Sequence, residues 1–474
     1  MHKGTLIVIA FLFFVCSAQA ATIYVPDDYA TIQEAINASV NGDTVIVRPG
    51  TYVENIDFIG KAITVKSGNG VDVTAIDGGN PVNPYFGSVV TFYNGEGASS
   101  VLEGFTITNG IGREECWSAG WWHRLGGGIF LTGASATIRN NIIEDNSASN
   151  EDSGYGGGIF CERGSPIIEN NIIRDNYVSN NQYGYGGGIA LLCASATIRN
   201  NVIIDNSVTN NGHLPGGGAV SSDGTSSTIV VNNTIVGNSA KVGGGILCHG
   251  SGSLIIANTI LAGNSAQYGN EMFIHDNADV SISYSDVFGG LSSIFVTSSG
   301  ILNWGNVMIV ADPLFADSSS NDYHLTWDSP CKDTGDNAAV TELIDFEGDP
   351  RVAYGTVDMG ADEFHPHLYY VGDVIPNSPT EVKVIGDPGT TPVTLALGSG
   401  IQDPPQSTPY GDLYLLLPPV RTFNLGAIPS NGILTYPGTV PPSWQSGDEY
   451  PFQALLGLLA PSSVLTNLMV LTVE

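Results

Sequence analysis

Basic side chains are scarce: Lys and Arg number 15 in 474 residues, against 46 Asp and Glu. The formal net charge of −31 excludes a basic groove for nucleic acid and a basic surface for anionic lipid. Charged residues of all kinds make up only 13%, too little Lys, Glu and Arg for a helix-rich chain. Cysteine is thinly spread. Apart from Cys16 there are Cys116, Cys161, Cys193, Cys248 and Cys331, an odd set with neither a disulfide framework nor a CxxC zinc spacing. Long apolar runs are missing, so no membrane-spanning segment is expected in the mature chain. The apolar run at 6–15 is short, follows His2 and Lys3, and precedes the small-x-small site Ala18-Gln19-Ala20. Residues 1–20 therefore read as a signal peptide, and the mature chain as secreted, extracellular or cell-surface.

What is plentiful is glycine, 60 residues, and hydrophobic residues reach 42%, which argues against disorder. With Asn, Ser, Thr, Ile and Val they favour strands and tight turns. The order is repetitive. Glycine triplets begin at Gly126, Gly156, Gly186, Gly216 and Gly243, in "GGGIFL", "GGGIFC", "GGGIAL", "GGGAVS" and "GGGILC". A second strand-like stretch follows each triplet: "TIRNNIIEDN", "IIENNIIRDN", "TIRNNVIIDN", "TIVVNNTIVGN" and "LIIANTILAGN". Repeats of this length that cannot bury their own apolar face stack into a solenoid, in which equal positions form columns. Asn141, Asn171 and Asn201 form one expected column, and Asn146, Asn176 and Asn206 another; stacked amides hydrogen-bond along such ladders. Arg139, Glu169 and Arg199 alternate in sign along a third.

The repeats resemble those of right-handed parallel β-helix proteins of the pectate-lyase-like superfamily. The words "GGGI" and "GNSA" (residues 237–240 and 263–266) are also similar to repeats of bacterial polymorphic outer-membrane proteins and adhesins. The opening segment "TIQEAINASVNGDTVIVRPGTYVENI" resembles the N-terminal cap of many such proteins, pectin methylesterases among them. Thr31 and Glu34 are placed as a capping box, and Ile32, Ala35 and Ile36 make one apolar face that would plug the solenoid. The resemblance implies an all-β architecture: signal peptide 1–20, a right-handed parallel β-helix over 21–365 with a helical cap and its clearest repeats at 126–267, and a separate unit at 366–474. That last unit is Pro-rich with strand-like apolar runs and reads as a small β-sandwich.

Two groups of residues are candidate sites. Asp145, Asp175 and Asp205 share one repeat position, with Arg174 beside the second. Stacked carboxylates about 5 Å apart raise a pKa, hold a cation such as Ca²⁺, or splay into water. Polysaccharide lyases of the resembling fold use acids with Ca²⁺ and a basic residue. The competing account is an Asp-Asn turn repeated with its coil, and Gly237 and Gly263 at the same position favour it. No other cofactor motif is present. The glycine triplets lack the Lys and helix of a phosphate loop. The second group is aromatic: Trp117, Trp121, Trp122 and His123 in an insertion before the regular coils, with Tyr183 and His213 in the long polar connections. Such side chains suit stacking on sugar rings. They also suit the sealing of a hydrophobic edge.

The catalytic motifs of pectin methylesterases, polygalacturonases and epimerases have no counterpart here. The leading expectation is therefore a secreted surface protein that binds polysaccharide or cell-surface glycan through its loops without catalysis. A Ca²⁺-dependent polysaccharide lyase or a glycoside hydrolase on acidic polysaccharide, using the Asp column, is the alternative.

Overall fold

The computed structural model describes residues 20–365 except 84, 119, 151, 181, 211–215 and 353–354, together with strands between 367 and 472. The signal peptide, save Ala20, and His213 lie outside the described residues. Each repeat makes one turn of a solenoid with three short strands, as in Ile129–Thr132, Thr137–Arg139 and Ile142–Glu144. Equivalent strands pair in parallel from turn to turn, so that Ile138 lies beside Ile168 and Ile168 beside Ile198. The result is the expected right-handed parallel β-helix, with sheets of 11, 9 and 9 strands. The sheets holding 137–139, 142–144 and 129–132 are called first, second and third below.

Strand alternation explains the core. Ile138, Ile168 and Ile198 of the first sheet point inward and are fully buried, as are Ile143, Ile173 and Ile203 of the second and Ile129, Ile159 and Ile189 of the third. The next residue along each strand faces out. There Arg199 pairs with Glu169 at 2.6 Å, Arg139 with Glu103 at 2.8 Å and Arg174 with Glu144 at 2.6 Å.

Two kinds of turn residue close each coil. Asn140, Asn170 and Asn200 adopt left-handed φ of 55°, 55° and 53°, a region that Asn and Gly enter most cheaply. Asp145, Asp175 and Asp205 do the same in the next turn, and the Asn after each left-handed residue turns inward and joins a ladder. Asn146 Nδ2 donates to Asn176 Oδ1 at 3.0 Å, and Asn176, Asn206 and Asn238 each repeat the bond to the next coil, ending at Asn264. Asn141, Asn171, Asn201 and Asn233 form the second ladder. Buried backbone that the sheets leave unpaired is satisfied by these amides.

The glycine triplets are a packing device. Gly126, Gly156 and Gly186 take φ of 57°, 66° and 63°, and a Cβ on Gly127 would lie 2.2 Å from the carbonyl oxygen of Gly157. In the fourth coil the left-handed glycine is Gly217, not Gly216, and a sixth equivalent stands at Gly269. The expected step of 30 residues there is thus corrected to 31, followed by two of 26. The reason is steric. Ala219 fits the third position of the triplet, so "GGA" serves as well as "GGG".

The helix Ile32–Ala38 buries Ile32, Ala35 and Ile36 on the open end of the core. Thr31 accepts from the Glu34 N–H, and the Glu54 carboxylate accepts from Ile32 and Gln33 N–H at 2.9 and 3.1 Å. Lys61 Nζ donates to the carbonyls of Ile36, Asn37 and Ser39 at 2.6–2.8 Å, offsetting the negative helix end.

At the far end the chain turns back as a belt. Tyr323 and Ala361 pack on Val202 and Ile204 of the second sheet, and Leu325, Cys331, Met359 and Phe364 on Ile260 and Ala262. Aspartates pin this belt: Asp345 Oδ1 accepts from Glu347, Gly348 and Asp349 N–H, and Oδ2 from Glu363 N–H. Arg351, fully buried, donates to the carbonyls of Asp358, Gly360 and Ala361. Beyond it, the described strands from His367–Val371 onward pair antiparallel in three sheets. The expected sandwich packing of 366–474 turns largely on side chains outside the described residues. No described helix is long and apolar enough to cross a membrane.

Candidate functional site: a groove along the third sheet

The insertion before the regular coils forms a hairpin, Gly112–Ser118 with Trp121–Leu125, and Ser153–Tyr155 and Tyr183–Tyr185 extend it in parallel. This wing lies over the outer face of the third sheet, sealing Leu125, Phe130, Phe160 and Ala190 beneath Tyr155 and Tyr185. The uncovered margin between wing and sheet is a groove in two stretches. One, of about 550 Å³, is lined by Tyr93, Glu115, Trp117, Thr132, Glu162, Arg163 and Leu192. The other, of about 230 Å³, is lined by Tyr183, Tyr185, Val242, Leu247, His249, Phe273 and His275.

Aromatic rings follow the groove from coil to coil. Trp117 stacks on His123 at 4.2 Å and meets Tyr155 at 5.3 Å, and Tyr155 stacks on Tyr185 at 5.1 Å. Burial lowers the His123 pKa, and its Nδ1 has no hydrogen-bond partner among the described residues. Burial also pushes the Tyr185 phenol up to about 12, with Asp223 adding to the effect.

The strand ends of the third sheet supply a polar column. Parallel register aligns Thr132, Glu162, Leu192, Asp223 and His249, and His275 follows on the next coil, its ring stacked on His249 at 5.3 Å and 13°. His249 Nδ1 lies 2.7 Å from Asp223 Oδ1 and Nε2 lies 3.1 Å from Asp276 Oδ2. The Asp223 hydrogen bond chiefly raises the His249 pKa, against burial. Left-handed φ at Asp276 and Asn277, 54° and 64°, turns the chain just after His275 and holds the Asp276 carboxylate against both rings.

Of the expected aromatic residues, the structure brings Trp117 and Tyr183 to this groove, while His123 is buried against the Trp117 ring. Period-two alternation puts Trp121 on the same face of the wing as His123. Trp122 faces the other side, near Tyr85 at 6.3 Å. Asp145, Asp175 and Asp205 lie elsewhere, in exposed turns after the second sheet, with φ of 54°, 54° and 53°. Burial, then the charges of Asp205 and Asp145, raises the Asp175 pKa; burial raises that of Asp205. Arg174 points to Glu144. Asp175 and Asp205 sit close enough to the belt to raise the pKa of Tyr323, after burial.

His249, His275, Asp223 and Asp276 escaped the reading of the sequence. Their signal is positional: six residues after the left-handed glycine come Asp223, His249 and His275. The one-residue slip at Gly217 and the degenerate sixth copy "GNE" hide that alignment.

The family described as "Right handed beta helix region" matches residues 21–260, and the chain belongs to it. Among solved structures the chain is similar to a pectin methylesterase in complex with a hexasaccharide, at 10% identity and a TM-score of 0.30, over 62% of this chain and 90% of that one. Comparison with curated proteins gives no match.

Proposed function

We propose that this is a secreted or surface-exposed β-helix protein that binds an extended polysaccharide along the groove of the third sheet. The observation that carries the reading is the aromatic lining, Tyr93 and Trp117 in one stretch and Tyr183, Tyr185 and Phe273 in the other, beside the column Glu162, Asp223, His249 and His275. Flat apolar faces on one wall and fixed hydrogen-bonding groups on the other are what a chain of sugar rings needs. Coils repeat at about 4.8 Å, so the six coils from Gly126 to Gly269 set a ligand path of roughly 24 Å. That length suits an oligosaccharide better than a single sugar.

The Asp column reads as turn chemistry. Each Asp adopts a left-handed φ, and glycines at φ 71° and 66°, Gly237 and Gly263, occupy the same turn in later coils. A lyase or hydrolase using Asp145, Asp175, Asp205 and Arg174 is the rival reading, with Ca²⁺ as its cation. One experiment separates them. Immobilised acidic and neutral polysaccharides are offered to the wild-type chain, Trp117→Ala and Asp175→Asn, with binding and new reducing ends both followed. The proposal expects binding to fall at least tenfold in Trp117→Ala and stay within twofold in Asp175→Asn. Unchanged binding by Trp117→Ala overturns it, and cleavage that disappears in Asp175→Asn makes the rival correct.

A further inference from the structure

We infer that His249, His275 and Asp276 form a binding site for one divalent transition-metal ion of the Zn²⁺ type, oriented by Asp223. One ligand atom from each of the three lies within 4.8 Å of the other two. Ligands of a tetrahedral zinc stand about 3.4 Å apart, so small side-chain rotations close the set.

Four observations converge on a cation. First, the short contact of His249 Nδ1 to Asp223 Oδ1, 2.7 Å, holds the ring so that Nε2 faces Asp276 Oδ2 at 3.1 Å. With the proton on Nδ1, Nε2 is the nitrogen free to ligate an ion shared with Asp276. Second, His275 Nδ1 lies 3.0 Å from the other oxygen, Asp276 Oδ1, yet makes no hydrogen bond there and has no other partner among the described residues. One carboxylate thus meets two imidazole nitrogens. Third, the two rings stack at 5.3 Å and 13° and each turns a nitrogen to the same carboxylate, so one ion meets all three groups. Fourth, the Asp223 contact is the carboxylate–histidine arrangement that fixes tautomer and ring in metal sites.

The donor set selects the metal. Two imidazoles and one carboxylate suit Zn²⁺, Ni²⁺, Cu²⁺ or Fe²⁺; Ca²⁺ and Mg²⁺ prefer all-oxygen sites. Three protein ligands leave coordination positions open to the groove, where Tyr185 and Phe273 stand beside the rings.

The test uses the untagged full-length mature chain, titrated with Zn²⁺ by calorimetry and with Co²⁺ by visible absorption. The inference expects one ion per chain and tetrahedral-type Co²⁺ bands that Zn²⁺ displaces. His275→Ala, with an unchanged near-ultraviolet circular dichroism spectrum, should weaken binding at least 100-fold, and Asp223→Asn about 10- to 100-fold. Glu347→Gln, in the belt's own His324 cluster, should change nothing. No binding by the wild-type chain overturns the inference. So does a His275→Ala variant that binds as wild type, or loss of binding in Glu347→Gln instead. If His275→Ala fails to fold, diethylpyrocarbonate protection of His249 and His275 by Zn²⁺, read by mass spectrometry, decides; an absence of protection overturns the site.

Discussion

Neighbouring residues in one turn have opposite weight. Asp175 is an exposed left-handed residue whose carboxyl is held above its ordinary pKa by burial and by Asp205 and Asp145. Asn176 beside it is fully buried. Its Nδ2 donates to Ile143 O, Arg174 O and Asn206 Oδ1, and its Oδ1 accepts from Asn146. A carboxyl with a raised folded pKa costs stability once pH exceeds its unfolded value, so Asp175→Asn removes a penalty at pH 7. Thermal melting should show Asp175→Asn equal to wild type or higher, within about 2 °C. Asn176→Ala should lose on the order of 3 kcal/mol, because it orphans several buried groups at once; denaturant titration measures it. The amide ladders were legible because a polar residue recurring amid Ile can survive burial only by pairing with its own copies. The turn role of the Asp was open in sequence, since the same residue type serves turns and catalysis.

At the scale of elements, the cap shows how much a repeat needs its ends. Lys61 donates to three carbonyls at the C-terminus of Ile32–Ala38, one of them shared with Ser39 Oγ, while Glu54 holds two amides at its start. Lys61→Met keeps the apolar stem and removes the donor. It should cost about 2–3 kcal/mol, seen as earlier unfolding of the N-terminal coils in hydrogen exchange. The capping pattern and apolar face of this helix were plain in sequence. Glu54 and Lys61 as its caps were not, because they come from later coils. The groove was half legible for the same reason. Trp117 and Tyr183 announce themselves by type. His249 and His275 gain meaning only once Gly217 is recognised as the turn glycine, and a three-glycine run offers no local clue to which member turns.

For the whole molecule, buried acids set the response to pH. Burial pushes Glu271 and Asp286 up to about 7, from ordinary values of 4.5 and 3.8. Glu271 is held by Asn264 at the last rung of a ladder, and Asp286 by Cys331 of the belt. Between about pH 4.5 and 7 the folded chain keeps protons that the unfolded chain has released. Stability therefore falls as pH rises across that window and levels off above it. Glu271→Gln should raise Tm by about 2–5 °C at pH 8 and leave it unchanged at pH 4.5. A pH-independent gain would assign the effect to packing instead.

The bonds between consecutive coils are translationally equivalent: Asn146 meets Asn176 as Asn176 meets Asn206, each at 3.0 Å. A coil such as residues 156–185 is therefore a cassette. Duplicating it in the gene, or deleting one copy, leaves every amide rung with an Asn partner, while the outer ion pairs change: deletion sets Arg139 beside Arg199. Each exchange changes the groove by one rung of about 4.8 Å. Groove length is thus a quantity that recombination can adjust in whole steps, without redesigning the cap.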